Sequence, residues 1–180
     1  MNNNKIAKKE VRIAKKANIK SPYVGSESIK KVFNSNTQDV YIASGWFNEN
    51  QAKDLNNIKI MLNELRISYF SPKDVFEVKP NDTKDIQKEV FNNNIKAIKK
   101  AKFIIANTRD KDLGTIFECG VAYSNKIPII YFCDGLVGSF NLMLGSSGIA
   151  VATSIDELKK HTNNFVKDNT YKCSYQGSIE

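Results

Sequence analysis

One histidine, His161, stands in the whole chain. A chemistry built on a histidine general base, or a metal site rich in histidine, has almost nothing to use, so the carboxylates become the better candidates. His161 itself lies in a polar C-terminal segment and reads as a surface helix residue. Cysteine is scarce too. Cys119, Cys133 and Cys173 form an odd set without CxxC spacing, which argues against a zinc site and against a disulfide framework. Cys119 reads as a small buried residue rather than a nucleophile. The longest apolar runs, such as Ile127 to Cys133, are strand-sized and far short of the ~20 residues that span a bilayer, so no membrane partner is expected. The opening residues are Asn and Lys without an apolar segment, so no secretory signal is expected. A reducing, cytoplasmic setting is the expectation.

Acidic residues are the minority, 19 against 27 Lys and Arg, and the imbalance is local. Residues 1–38 hold nine Lys or Arg against Glu10 and Glu27, which accounts for +7 of the formal +8. The rest of the chain is nearly neutral. A nucleic-acid enzyme more often carries its positive charge on the folded core, so nucleic acid is not the expected partner. The basic arm is open to two readings, a non-specific contact with nucleic acid or a solvated, partly helical tail. The expected organisation is an arm over 1–38 and one domain over 39–180.

Within that domain the pattern alternates. Asp39 to Gly45 reads as a first strand and its turn, and Asn48 to Leu65 as an amphipathic helix. Ser68 to Pro72 reads as a second strand, and Lys73 to Thr83 as a long polar loop. Lys84 to Lys100 reads as a helix, Phe103 to Ala106 as a third strand, and Lys126 to Phe132 as a fourth, apolar enough to be covered on both faces. Gly135 to Gly148 is Gly/Ser-rich. Gly148 to Ala152 reads as a fifth strand, Ile155 to Phe165 as the last helix, and Val166 to Glu180 as an irregular tail. This order predicts an α/β fold with a doubly wound (Rossmann- or flavodoxin-like), five-stranded, mainly parallel sheet flanked by helices.

The stretch Lys111 to Tyr123 is the centre of the functional reading. It leaves the third strand, turns through Asp112 and Gly114, and continues as a helix. Glu118 lies about one turn into that helix, near the carboxyl ends of the strands, where open α/β sheets bind ligands. Two carboxylates of different backbone setting can then face one crevice, one to attack and one to handle a proton. The same spacing also fits a plainer pair, Asp112 as a helix cap and Glu118 as a solvated residue. Trp46 and Phe47, directly after the first turn, read either as core or as a wall for a flat ring. Asn92-Asn93-Asn94 sits inside a helix, where asparagine is a poor former, so either an amide there is used for something else or the turn is frayed. Gly145-Ser146-Ser147-Gly148 reads as a possible anion cradle.

Four separated blocks, in order, resemble the nucleoside 2-deoxyribosyltransferase family, and in particular its bacterial nucleoside-type members. They are Tyr41-Ile42-Ala43-Ser44-Gly45-Trp46-Phe47, Asp112-Leu113-Gly114-Thr115-Ile116-Phe117-Glu118-Cys119-Gly120-Val121-Ala122-Tyr123, Phe140-Asn141-Leu142-Met143, and Tyr175-Gln176-Gly177-Ser178-Ile179-Glu180. The resemblance implies roles. Glu118 would attack the anomeric carbon of a 2'-deoxynucleoside, Asp112 would work on the base side, and Tyr41 would hold the Glu118 carboxylate. Gly45, Trp46 and Phe47 would form the base site with Met143 beside it, and Gly114 belongs to the nucleophile block. Asn141, lent by a neighbouring subunit, would hold the sugar 5'-hydroxyl, and the carboxylate of Glu180 would help line the pocket. The implied partners are 2'-deoxynucleosides, free nucleobases and further copies of the chain in a dimer or higher oligomer. No cofactor and no metal is implied. One position departs: Asn94 stands where the family usually has an Asp, and an amide can pair with a sugar or base but cannot take a proton or carry charge. Losing that carboxylate is expected to favour the ionised form of Glu118. Two alternatives accompany the transferase reading: an N-glycosidic hydrolase acting on a deoxynucleoside or deoxynucleotide, and a non-catalytic protein that binds a nucleoside or nucleotide derivative. The Gly45-Trp46-Phe47 turn without Arg favours an unphosphorylated sugar.

Overall fold

The computed structural model of the chain describes residues 38–180, so the basic arm lies, but for Gln38, outside the described residues. The chain divides into two compact units. Among the described residues one comprises 78–91, the other 38–77 and 92–180. In the first the Lys79 N–H donates to Asp82 at 2.6 Å, and the Thr83 hydroxyl accepts the Ile86 N–H at 3.3 Å, capping the start of a helix.

The larger unit holds a five-stranded sheet in the order β2-β1-β3-β4-β5. Its strands are β1 (Val40–Ala43), β2 (Tyr69–Phe70), β3 (Phe103–Asn107), β4 (Ile129–Phe132) and β5 (Ala150–Ala152). Every pairing is parallel, with Val40 opposite Tyr69 and Phe103, Ile104 opposite Ile129, and Ile130 opposite Ala150. The helices are α1 (Glu49–Glu64), α2 (Pro72–Val75), α3 (Lys84–Lys100), α4 (Leu113–Ser124), α5 (Leu142–Ser147) and α6 (Ile155–Lys167). The five-stranded doubly wound sheet is the expected one, and it is wholly parallel.

Side-chain parity sorts the core into two layers. Val40, Ile42, Phe103, Ile105, Ile130 and Phe132 pack with Leu55, Ile58 and Leu62 of α1 and Leu158 and Phe165 of α6. Tyr41, Ala43, Ile104, Ala106, Ile129 and Tyr131 pack with Ile98 of α3 and Cys119 and Ala122 of α4. Alternate residues of a strand point to opposite faces, so Tyr41 is committed to the α4 side by its neighbours. The sheet order reverses direction between β1 and β3, and a crevice opens there beyond the strand ends.

Several expectations are corrected. His161 is buried, not on the surface, because Leu158, His161, Thr162 and Phe165 form the single inward stripe of α6. Its Nδ1 pairs with the Tyr171 hydroxyl at 2.8 Å, and burial lowers its pKa. The Lys73–Thr83 loop begins with a helical turn, α2, started by Pro72 at its first position. The Gly/Ser-rich segment contains α5, capped by Asn141, whose side-chain oxygen accepts the N–H groups of Met143 and Leu144. Gly145, Ser146 and Ser147 therefore belong to a helix rather than to an anion cradle. The Ser147 hydroxyl pairs with the Tyr131 hydroxyl at 2.8 Å and donates to the Leu144 carbonyl at 3.0 Å.

A partly buried ion pair fastens α1 to the segment that enters α4. Arg109 donates through Nε and Nη2 to Asp54, which is almost fully buried, and through Nη2 to the Asp134 carbonyl at 3.2 Å. Removing one partner of such a pair strands the other charge. Asp54→Ala should lower stability by about 2–4 kcal/mol, read as the urea midpoint. Asp54→Ala combined with Arg109→Ala should cost clearly less than the sum of the two single changes.

Candidate active site

The crevice holds a pocket of about 210 Å³ lined by Ser44, Trp46, Phe47, Pro72, Asn94, Asp112, Gly114, Thr115 and Glu118. Ser44, Trp46 and Phe47 come from the turn after β1, and Asp112 to Glu118 from the entry of α4 after β3. Pro72 follows β2, and Asn94 lies on α3. Sheet topology thus gathers four chain segments at one point.

The β1 turn is shaped by a close approach. Gly45 is buried, and a Cβ there would meet the Gln51 side-chain oxygen at 2.7 Å. Gln51 is itself buried, and that oxygen accepts the Phe47 N–H at 2.9 Å. The turn is then capped into α1 by Asn48, whose side chain accepts the Gln51 N–H at 2.9 Å. Trp46 leans on the core, whereas Phe47 is 73% exposed and lies against Trp46 with ring centroids 5.2 Å apart. The pair is therefore half core and half open wall.

The α4 entry is equally constrained. Asp110 and Lys111 adopt positive φ (59° and 53°), a left-handed bend that swings the chain into the crevice. Asp110 accepts from the Asn48 amide at 2.8 Å, and Arg109 is held by Asp54. Asp112 is the N-cap, its Oδ2 accepting the Thr115 N–H at 2.8 Å. Capping and pocket lining are compatible, because a carboxylate has two oxygens.

Glu118 is partly buried, not a solvated helix residue. The Tyr41 hydroxyl donates to its Oε1 from below. Tyr41 is fully buried and stacked on Phe70, ring centroids 5.5 Å apart. Burial pushes the Glu118 pKa up to about 7, opposed by the Tyr41 hydrogen bond and assisted by the Asp112 charge. Relief from having Asn94 in place of an acid does not decide the outcome; burial does. The Tyr41 phenol is pushed well above its ordinary pKa by burial and by Glu118, so it stays a donor.

The structure brings Glu118, Asp112, Gly114, Trp46, Phe47 and Asn94 to one pocket, with Tyr41 beneath it and Gly45 at the turn. It does not bring Asn141, Met143 or Glu180 to that pocket's lining. Those three lie on a separate strap, where the Leu142 N–H donates to the Glu180 carbonyl at 2.7 Å and the Glu180 N–H donates to the Phe140 carbonyl at 3.0 Å. Met143 is 74% exposed. Sequence reasoning gave no role to Ser44, Pro72 or Thr115 in the lining, or to Gln51 behind it. Thr115 was findable, since it lies three residues before Glu118 and so on the same helix face. Gln51 carries no such signal, because its partner is a backbone N–H. Among the described residues no cluster of three or more His, Cys, Asp or Glu could hold a metal, and no helix is long and apolar enough to cross a membrane.

Comparison with known proteins agrees with this fold. A solved 2-deoxyribosyltransferase from the psychrotolerant bacterium Bacillus psychrosaccharolyticus is 26% identical, with a TM-score of 0.64 over 76% of this chain and 98% of that one. A conserved protein from Enterococcus faecalis V583 shares the fold at 14% identity, with a TM-score of 0.60 over 72% of this chain and 99% of that one. No curated protein sequence matches the chain. The family described as nucleoside 2-deoxyribosyltransferase matches residues 40–151, from β1 through the pocket segments into β5. With more than half of its length matched and the same sheet beneath it, the chain belongs to the nucleoside 2-deoxyribosyltransferase family, which is a family of enzymes.

Proposed function

We propose that this protein transfers a 2-deoxyribosyl group from one nucleobase to another through a covalent ester on Glu118. The observation that carries the reading is a recessed carboxylate, oriented by a buried tyrosine, facing a pocket with an aromatic wall and a second carboxylate. Tyr41 holds Oε1, so Oε2 is the attacking oxygen. It forms a bond to the anomeric carbon as the C–N bond breaks, and the base departs with that electron pair and takes a proton. The Asp112 oxygen not used in the cap supplies this proton and later removes one from the incoming base. That base attacks the same carbon, and the Glu118 carboxylate is restored. Charge building on the sugar in both steps resembles an oxocarbenium ion, which a nearby carboxylate stabilises. Trp46 and Phe47 hold the flat base, and the amide of Asn94 pairs with it or with the sugar. The sequence need supply no cofactor for these steps.

Chromatography tests this directly. With thymidine as donor and adenine as acceptor, a new deoxynucleoside should form and should vanish in Glu118→Ala. Free thymine without an exchanged product, still dependent on Glu118, would replace transfer by hydrolysis. No turnover of any deoxynucleoside or 5'-monophosphate by folded protein would leave a binding function.

The pH profile tests the nucleophile. Glu118 attacks only when ionised, and its pKa is raised to about 7. Below that point kcat/KM for donor cleavage should fall about tenfold per pH unit. Tyr41→Phe removes the hydrogen bond that lowers this pKa, and Asn94→Asp adds a like charge to the pocket. Both should move the acid limb to higher pH. A limb that stays put in both variants would assign the titration to another group.

We also place Asn141 and the exposed Leu142 and Met143 at the pocket of a neighbouring subunit, since none of them lines the pocket of its own chain. Glu118→Ala and Asn141→Ala proteins, each inactive, should regain activity when dissociated and reassembled together. Continued inactivity of the mixture would put Asn141 to work within its own chain.

A further inference from the structure

Thr115 is 1% exposed and lines the pocket, yet its hydroxyl oxygen has no hydrogen-bond partner among the described residues. The reason is local. A helical threonine ordinarily turns its hydroxyl to a carbonyl three or four residues back. Thr115 stands in the first turn of α4, and the carbonyl four residues back belongs to Lys111, which is in the left-handed bend before the helix. The carbonyl three back, on Asp112, accepts the Ile116 N–H at 3.1 Å, and the Asp112 side chain is on the Thr115 N–H. A buried hydroxyl left in this state destabilises the fold, whereas valine would fill the same space without that penalty.

We propose that the Thr115 hydroxyl is a substrate contact, hydrogen-bonded to a hydroxyl of the sugar whose anomeric carbon faces Glu118. Thr115 and Glu118 are three residues apart on one helix face, about 4.5 Å along the axis. A hydroxyl of the sugar that Glu118 attacks falls within that span. The base wall stands on a different element, the turn after β1. A threonine hydroxyl both donates and accepts, as a sugar hydroxyl does. The sugar hydroxyl can accept from Thr115 or donate to it. A phosphate is the poorer occupant, because Asp112 and Glu118 put two acids in the same pocket.

This inference rests on the deoxyribosyl-transfer reading, and its test is arranged so that either can fail alone. Binding is measured by calorimetry in the Glu118→Ala background, where no turnover is needed, with thymidine and its 3'-deoxy and 5'-deoxy analogues as probes. Thr115→Val should weaken thymidine binding about five- to tenfold, and Thr115→Ser should retain it. Deleting one of the two sugar hydroxyls should weaken binding to the Thr115 protein but have little further effect in Thr115→Val. The thermal midpoint without ligand should be unchanged or higher in Thr115→Val. Unchanged affinity in Thr115→Val, or equal penalties for every analogue in both proteins, would overturn the contact. A lower midpoint without ligand would overturn it as well, by making the hydroxyl a structural group. Base exchange with a silent Thr115 sinks this inference alone. Thr115-dependent thymidine binding without any turnover sinks the transfer reading alone, and absence of thymidine binding sinks both.

Discussion

Removing a carboxylate from water favours its protonated form, and a hydrogen bond donated to the ionised form favours the opposite. The hydrogen bond from Tyr41 to Glu118 is where this structure meets that conflict. Burial gives Glu118 a dry setting in which its charge acts strongly, and the phenol keeps the ionised form within reach near neutrality. The bond exists only because Tyr41 falls on the α4 side of β1. A shift of one residue in strand register would send Tyr41 to the opposite layer and bring Val40 or Ile42 under the carboxylate. Four parallel pairings and two core layers therefore stand behind a single side-chain contact.

The rest of the pocket is built on irregular backbone, which needs its own bracing. Asp110 and Lys111 sit in conformations that disfavour ordinary side chains, and the bend is held by Asn48, by the Arg109–Asp54 pair and by the Thr108 hydroxyl on the Phe132 carbonyl at 3.2 Å. On the β1 side, Asn107 donates to Ser44 at 3.2 Å, linking the ends of β3 and β1 where the crevice opens. Most of these partners are polar and lie just beyond strand ends, where the core no longer fixes the chain.

The four long helices were legible because each buries one face, which writes a period into the sequence, and the central strands because burial on both faces leaves short apolar runs. The α4 segment was legible from the helical period as well, since Ile116, Cys119 and Ala122 repeat at helical steps around Glu118. What was hidden follows from shortness or from side chains with two faces. α2 and α5 span four and six residues, too few for a period to show. His161 reads as polar, but its ring meets Tyr171 and packs inward. The Asp112 and Glu118 pair was ambiguous from spacing alone: Asp112 caps the helix and also lines the pocket, while Glu118 is drawn out of solvent. The strap from Phe140 to Glu180 was readable as a motif, but nothing in its pattern places it against a pocket.

The contact between Gly45 and Gln51 has a meaning for how this site can drift over time. The space above Gly45 is filled by the very amide that anchors the aromatic turn. Neither position is free to vary while the other stays as it is: a methyl at 45 displaces the amide, and a shorter residue at 51 releases Phe47. Change must therefore come in pairs or through an intermediate with a loosened aromatic turn. The two residues behave as one heritable character, and related chains that differ at one should differ at the other.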